Sequence, residues 1–262
     1  MAREPAEELS LLVAAAEEAG RVAMSYFRGL VEQWEKPGLG PVSAADLAAD
    51  EVIRARLAAA RPDYGWLSEE SEGAHDRDTR ARIFIVDPID GTRAFLAGDS
   101  GWGTALAVAE HGRVIAGVMH LPARGETYTA SRGGGARRNR DTIRVSARRD
   151  LAGARVLAAS RQLRPELWAG GVPPVEAHFR PSLAWRLCLV AEGAFDAMIT
   201  LRDAYEWDIA AGSLIAAEAG ARVTDREGAE PLFNRHPARV AGLIVAPPVL
   251  HEQIMAHLHP GH

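Results

Sequence analysis

Arg82-Ile83-Phe84-Ile85-Val86-Asp87-Pro88-Ile89-Asp90-Gly91-Thr92 joins an apolar run to two carboxylates and a Gly-Thr pair. The β-branched stretch from Arg82 to Val86 predicts a buried strand. Pro88 fixes φ and lacks an N–H, so the strand is expected to end there in a turn. Arg93 to Ala97 reads as a helix start. Asp87 and Asp90 then converge with the Ile89 carbonyl between them. Two close carboxylates repel each other unless they share a proton or a hard cation. The Gly91 and Thr92 amides can hold an anion at the helix start. Cations beside an anion pocket point to phosphate chemistry, although a lone D-P-x-D is equally at home as turn and N-cap residues.

The rest of the chain bounds that reading. It has 262 residues, 47% hydrophobic and 25% charged, an ordinary globular balance able to bury a sizeable core. A net charge of −5 gives no global attraction to nucleic acid or anionic membrane, so positive charge for a phosphate must be local. The single cysteine, Cys188, excludes an internal disulfide and a cysteine-based zinc cluster. With no long uncharged apolar run and an N-terminus unlike a signal peptide, a cytoplasmic location is expected.

Upstream, Leu9, Leu12, Val13, Ala16, Ala19, Ala23 and Phe27 recur at helical spacing and predict a helix from Pro5 to about Glu35, with Trp34 in the core. Lys36 to Pro41 reads as a loop. Ser43 is a natural N-cap for a helix through Leu57, and Asp46, at its third position, suits the dipole of the first turn. Pro62 to Ser68 reads as a turn and then a short strand, ending at Glu69-Glu70-Ser71-Glu72. Glu69 stands eighteen residues before Asp87, so the two meet on one sheet edge if their strands are neighbours. Gly73 to Arg80 reads as a flexible flap.

Downstream, Trp102 to Glu110 and Arg113 to Leu121 predict a hairpin around His111-Gly112, with further strands at 127–130 and 143–145. Seven arginines from Arg132 to Arg149 read as a solvated hairpin and linker rather than a nucleic-acid surface, because no aromatic residues are interleaved. Beyond Asp150, strands at 154–159, 195–199, 221–224 and 240–246 alternate with helices at 182–192, 207–219 and 249–258, suggesting an α/β half with crossovers. Residues 161–171 read as helix or loop. His251, His257, His259 and His262 are expected to be exposed. Asp208 opens the second of these helices, within Trp207-Asp208-Ile209-Ala210-Ala211-Gly212.

The order Ser-Ala-Ala-Asp, Ser-Glu-Glu-Ser, Asp-Pro-Ile-Asp-Gly-Thr, Trp-Asp-Ile-Ala-Ala-Gly, over roughly residues 36 to 220, resembles the inositol monophosphatase superfamily of metal-dependent, lithium-sensitive phosphomonoesterases. The resemblance implies an α/β (α+β) chain in the layered αβαβα sugar-phosphatase fold, with two intimately packed halves. Residues 1–150 would carry most metal ligands, and residues 151–262 Asp208 and the substrate-binding residues. It further implies a homodimer and two to three Mg²⁺ ions per site. Carried over, Glu69 and Asp87 bind the first ion with the Ile89 carbonyl. Asp87, Asp90 and Asp208 bind the second. Glu69 also touches a third, and Glu70 supports from behind. Asp46 and Thr92 orient and deprotonate the attacking water, and the Gly91 and Thr92 amides hold the phosphate.

All these side-chain ligands are carboxylates, which hard Mg²⁺ prefers, and phosphoryl transfer needs mainly positioning and charge neutralisation. The D-x-x-D spacing differs from the D-x-D of haloacid-dehalogenase phosphatases. The substrate is expected to be a small phosphorylated metabolite. Ser182 to Gly193 resembles the bisphosphate nucleotidase branch, which degrades 3′-phosphoadenosine 5′-phosphate, and Arg186 would contact a second substrate phosphate. An inositol phosphate is disfavoured by Leu201, which stands seven before Asp208 where that branch has an acid. Gly98 to Gly103 is partly similar to histidinol-phosphate phosphatases. A regulatory or RNA-binding module retaining the fold is the alternative from another class. Neither membrane nor nucleic acid is expected as a partner.

Overall fold

A computed structural model of the chain describes residues 4–38, 40–71 and 77–259. The first helix, α1 (Pro5–Tyr26), is shorter than its periodicity predicts. Arg28 takes a φ of +63° and Phe27 turns into an aromatic cluster, 5.3 Å from Trp102 between ring centroids. The following residues form a surface hairpin of β1 (Gln33–Lys36) and β2 (Gly40–Ser43), which replaces the expected loop. Trp34 lies on that hairpin with 40% of its surface exposed, so it is not a core residue. Ser43 caps α2 (Ala44–Ala60), as its position predicts.

Seven strands make the first sheet: β3 (Gly65–Ser68), β4 (Arg82–Asp90), β5 (Gly103–Glu110), β6 (Arg113–Leu121), β7 (Glu126–Ser131), β8 (Gly135–Arg138) and β9 (Asp141–Thr142), in that spatial order. Only β3 and β4 are parallel; the rest is an antiparallel meander. Pro88 does not end β4. The strand continues to Asp90 through a bulge, since three steps from Asp87 to Asp90 oppose two from Ala105 to Gly103. A bulge tolerates a residue without an N–H. The strand expected at 143–145 is also absent, because Asn139, at φ +53°, closes the turn earlier and places β9 at 141–142. Of the expected flap, residues 73–76 lie outside the described residues. Arg77–Thr79 is a 3₁₀ turn held by Arg77, which is buried and donates to Asn234 Oδ1 and the Arg235 carbonyl.

A five-stranded second sheet contains β10 (Arg155–Leu157), β11 (Glu176–His178), β12 (Ala197–Thr200), β14 (Arg222–Thr224) and β16 (Leu243–Ala246), ordered β11-β10-β12-β16-β14. A two-stranded pair of β13 (Ala204–Tyr205) and β15 (Arg239–Val240) stands beside it. Crossovers make β10, β11 and β12 parallel, but β16 is antiparallel to both its neighbours, so this sheet is mixed. The expected strand at 240–246 is split at Gly242, whose φ is +72° and where a Cβ would meet the Thr200 carbonyl at 2.7 Å. Residues 161–171 contain two short 3₁₀ turns.

Period-2 alternation explains the layering. Phe84 and Val86 face α1 and α2, while Ile83 and Ile85 face the helices α4 (Leu183–Ala191) and α5 (Glu206–Glu218). Met198 and Val245 of the second sheet cover those helices from the far side, and Ile199 and Ile244 face α6 (Pro248–His257). Helix, sheet, helix, sheet, helix therefore stack as αβαβα. No helix among the described residues is long and apolar enough to cross a membrane. His257 and His259 are exposed, but His251 is buried against Thr224, with Nε2 and Oγ1 2.9 Å apart; His262 lies outside the described residues.

Candidate active site

Parallel pairing of β3 and β4 sets Ser68 opposite Val86, and the Glu69 amide donates to the Val86 carbonyl at 3.2 Å. The next residues on the two strands, Glu69 and Asp87, therefore leave the sheet side by side. Asp208 arrives on the first turn of α5, which packs against β4, β5 and β6. Each of the three acids places a carboxylate oxygen within 4.8 Å of the others. Neither oxygen of Asp87 finds a hydrogen-bond partner among the described residues, although both are buried. The adjacent Glu206 is different: its carboxylate accepts from the Asn234 and Arg235 amides at 2.6 and 2.8 Å and so holds a loop.

Asp90 comes to the same centre past the bulge, and its carboxylate lies at the N-terminus of α4. Ser182 Oγ and the Ala184 amide donate to Oδ2 at 2.5 and 2.6 Å, and the Leu183 amide to Oδ1 at 3.3 Å. On the opposite side, Asp46 Oδ2 accepts from the Ser43 amide and hydroxyl in a capping box. Its Oδ1 lies 3.1 Å from Thr92 Oγ1, which is also 3.1 Å from the Ile89 carbonyl. The single Thr92 proton thus has two acceptors. The dipole pairing expected for Asp46 and its approach to Thr92 coexist in one carboxyl group.

Gly91 precedes α3 (Thr92–Leu96) with a φ of +97°, and a Cβ there would meet the Gly101 carbonyl at 3.1 Å. Glycine is needed for both the torsion and the close approach. Lys36 reaches over from β1, donating to the Glu69 carbonyl at 3.1 Å and to Glu70 Oε2 at 2.5 Å. Glu70 is thereby turned to a lysine beside the cluster.

Burial and mutual repulsion raise this group of acids above the ordinary carboxylate range. Burial, then Glu70 and Asp46, push Glu69 up to about 8. Burial, then Glu69 and Asp90, hold Asp87 well above the ordinary range, and burial, Asp90 and Glu69 do the same to Asp208. Such a set ionises fully only when cations compensate it. The unpartnered Asp87 oxygens and the all-oxygen donor set fit a hard divalent ion.

These residues line a pocket of about 460 Å³ with no histidine or cysteine among its described walls. Arg186 is in the wall, where Nε donates to the Arg180 carbonyl at 2.5 Å and Nη2 to the Pro181 carbonyl at 3.4 Å. Its guanidinium covers the Phe179 ring at 4.3 Å. Leu201 points away into the core beneath the second sheet, whereas Arg161, Arg202 and Asp203 line the pocket. The sequence reading did not single out those three. No local motif marks them, since they come from a 3₁₀ turn and a connection that only the tertiary fold brings together.

The family model described as "Inositol monophosphatase family" matches residues 4–261. An inositol-1-monophosphatase of Rhizobium meliloti (strain 1021) is 35% identical, over 92% of this chain and 97% of its own length. A histidinol-phosphatase of Chlorobaculum parvum (strain DSM 263 / NCIMB 8327) is 32% identical, over 87% and 89% respectively. Among solved structures, the extragenic suppressor protein suhB from Bartonella henselae superposes with a TM-score of 0.83 at 30% identity, covering 98% of this chain and all of that one.

Proposed function

This chain belongs to the inositol monophosphatase family of Mg²⁺-dependent phosphomonoester hydrolases, and we propose that it hydrolyses a small phosphorylated metabolite with the acids around Asp87 as its metal site. The observation that carries the assignment is the Asp87 carboxylate, buried, without a hydrogen-bond partner among the described residues, and crowded by Glu69 and Asp208. Stripping a carboxylate of water and hydrogen bonds is costly, so a ligand is needed to offset it.

In this reading Glu69, Asp87 and the Ile89 carbonyl would hold one ion, Asp87, Asp90 and Asp208 a second, and Glu69 would share a weaker third. Held there, the ions would supply Lewis-acid charge for the attacking water and for the leaving oxygen. Thr92 Oγ1 accepts a proton from the attacking water while passing its own to Asp46 Oδ1 along the 3.1 Å contact. The capping box holds Asp46 in place for that transfer. The Gly91 and Thr92 amides are assigned to the phosphate oxygens, and Lys36 restrains Glu70 and the Glu69 backbone.

At about 460 Å³ the pocket is in the size range of small-ligand sites, which suits a nucleoside or a cyclitol. 3′-Phosphoadenosine 5′-phosphate is supported by the basic wall that includes Arg186; inositol 1-phosphate is supported as well by the inositol-1-monophosphatase relatives. Assembly as a homodimer and a cytoplasmic location belong to the same proposal. The test is Mg²⁺-dependent phosphate release from these two substrates, fructose 1,6-bisphosphate and histidinol phosphate. Asp87→Asn should reduce turnover at least a thousandfold while the circular dichroism spectrum is kept. Full activity in that variant would refute the metal assignment. No release by the wild type from any of the four would favour a regulatory or RNA-binding role.

A further inference from the structure

Besides Arg93, which stands next to Thr92, three guanidiniums line the same pocket as the acids: Arg161, Arg186 and Arg202. They come from the 3₁₀ turn Ser160–Leu163, from α4 and from the connection after β12. Gln162 explains why two of them stand together. Its buried side chain accepts from the Leu201 amide at 3.0 Å, tying the turn to the connection, so that Arg161, just before Gln162, and Arg202, just after Leu201, both line the pocket. Arg226 fixes the connection from behind, donating to the Leu201 carbonyl at 2.9 Å and to Asp203 Oδ1 at 3.3 Å. Asp203, the acid beside Arg202 in the pocket lining, thus already has a cationic partner.

The two outer arginines are not used by the fold. Both are exposed, and among the described residues neither side chain makes an ion pair or hydrogen bond. Arg186 is used: two of its donors hold the Arg180 and Pro181 carbonyls. Burial, with Arg202 and Arg161 nearby, lowers Arg186 to about 10 against the opposing pull of Asp90, so the three positive charges sense one another. Like charges gathered without a structural partner favour an anion between them.

We propose that Arg161 and Arg202 form a subsite for a second phosphate group on the substrate, with Arg186 as a positioning residue that anchors the adjacent Phe179–Pro181 segment. Resting on the phosphatase reading above, this makes the preferred substrate a bisphosphate, with one phosphate at the acid cluster and the other held by planar, fork-shaped donors elsewhere in the pocket lining.

The test compares kcat/KM with Mg²⁺ within two substrate pairs: inositol 1,4-bisphosphate against inositol 1-phosphate, and adenosine 3′,5′-bisphosphate against adenosine 3′-monophosphate. The wild type should prefer the bisphosphate at least tenfold in one pair. In the Arg161→Ala, Arg202→Ala double variant that ratio should fall tenfold or more, chiefly through KM for the bisphosphate. Arg186→Ala should lower kcat/KM for both members of the pair alike, leaving their ratio in place. Turnover of monophosphates with a wild-type ratio at or below one in both pairs, or a ratio that survives the double substitution, would overturn the subsite and leave the phosphatase assignment standing. Absence of Mg²⁺-dependent release from all four compounds would overturn the phosphatase reading and the subsite with it.

Discussion

Ser182 Oγ donates to Asp90 Oδ2 at 2.5 Å across 92 residues of sequence, and the same oxygen accepts from the Trp185 amide as the N-cap of α4. One hydroxyl therefore starts a helix and aims an acid of the candidate site. Ser182→Ala should cost about 1–2 kcal/mol of stability for the lost cap. It should also raise the Mg²⁺ concentration needed for activity about 10–100-fold, the usual effect of removing a group that orients a ligand. Chemical denaturation and a Mg²⁺ titration of phosphate release measure the two effects. A stability loss with unchanged Mg²⁺ dependence would reduce Ser182 to a cap.

Metal removal should make stability depend on pH in an unusual direction. Glu69 is raised from the ordinary carboxylate range to about 8, and Asp87 and Asp208 are raised well above theirs. Between the ordinary range and about 8 the folded chain binds more protons than the unfolded one, so the metal-free protein loses stability as pH rises through that window. Its melting temperature should be lower at pH 8 than at pH 6, and Mg²⁺ should raise it more at pH 8. An equal Mg²⁺ shift at both values would show that the acids are not its ligands.

Asp46 and Thr92 should separate catalysis from metal binding. Thr92→Ala removes the hydroxyl that stands between water and Asp46, and Asp46→Asn removes the proton acceptor. Each should lower kcat by about 10²–10⁴, the range of lost general acid–base catalysis. The Mg²⁺ concentration for half-maximal activity should move less than threefold. A change in Mg²⁺ affinity equal to the loss in kcat would place both groups in metal binding instead.

His251 predicts a separate pH effect far from the site. Thr224 Oγ1 donates to the Asp225 carbonyl at 2.9 Å, so the His251 Nε2 beside it must be the donor. The other ring nitrogen is buried and has no hydrogen-bond partner among the described residues. Burial, reinforced by Arg222, lowers His251 to about 4. The unfolded chain then takes up the proton first as pH falls below about 6.5. Melting temperature should decline from pH 7 to pH 5, and His251→Asn should flatten that decline. An identical slope in the variant would assign the acid lability to other groups.

Much of this protein is local chemistry and can be read residue by residue. The β-branched run before Asp87 is the buried strand that it reads as, and Ser43 caps α2 with Asp46 in its first turn. These follow from short-range sterics and hydrogen bonding, as does the ordered series of acids with its family resemblance. The helix that stops at Tyr26, the bulge that carries β4 past Pro88 and the burial of His251 were not legible, because long-range packing decides them. So it is with the site. The sequence by itself determined which carboxylates exist and on which elements they sit. Tertiary structure alone decided that Ser182 meets Asp90 and that Gln162 holds Arg161 beside Arg202. Those contacts join segments tens of residues apart, and it is the shared core between the two sheets that brings them within hydrogen-bonding distance.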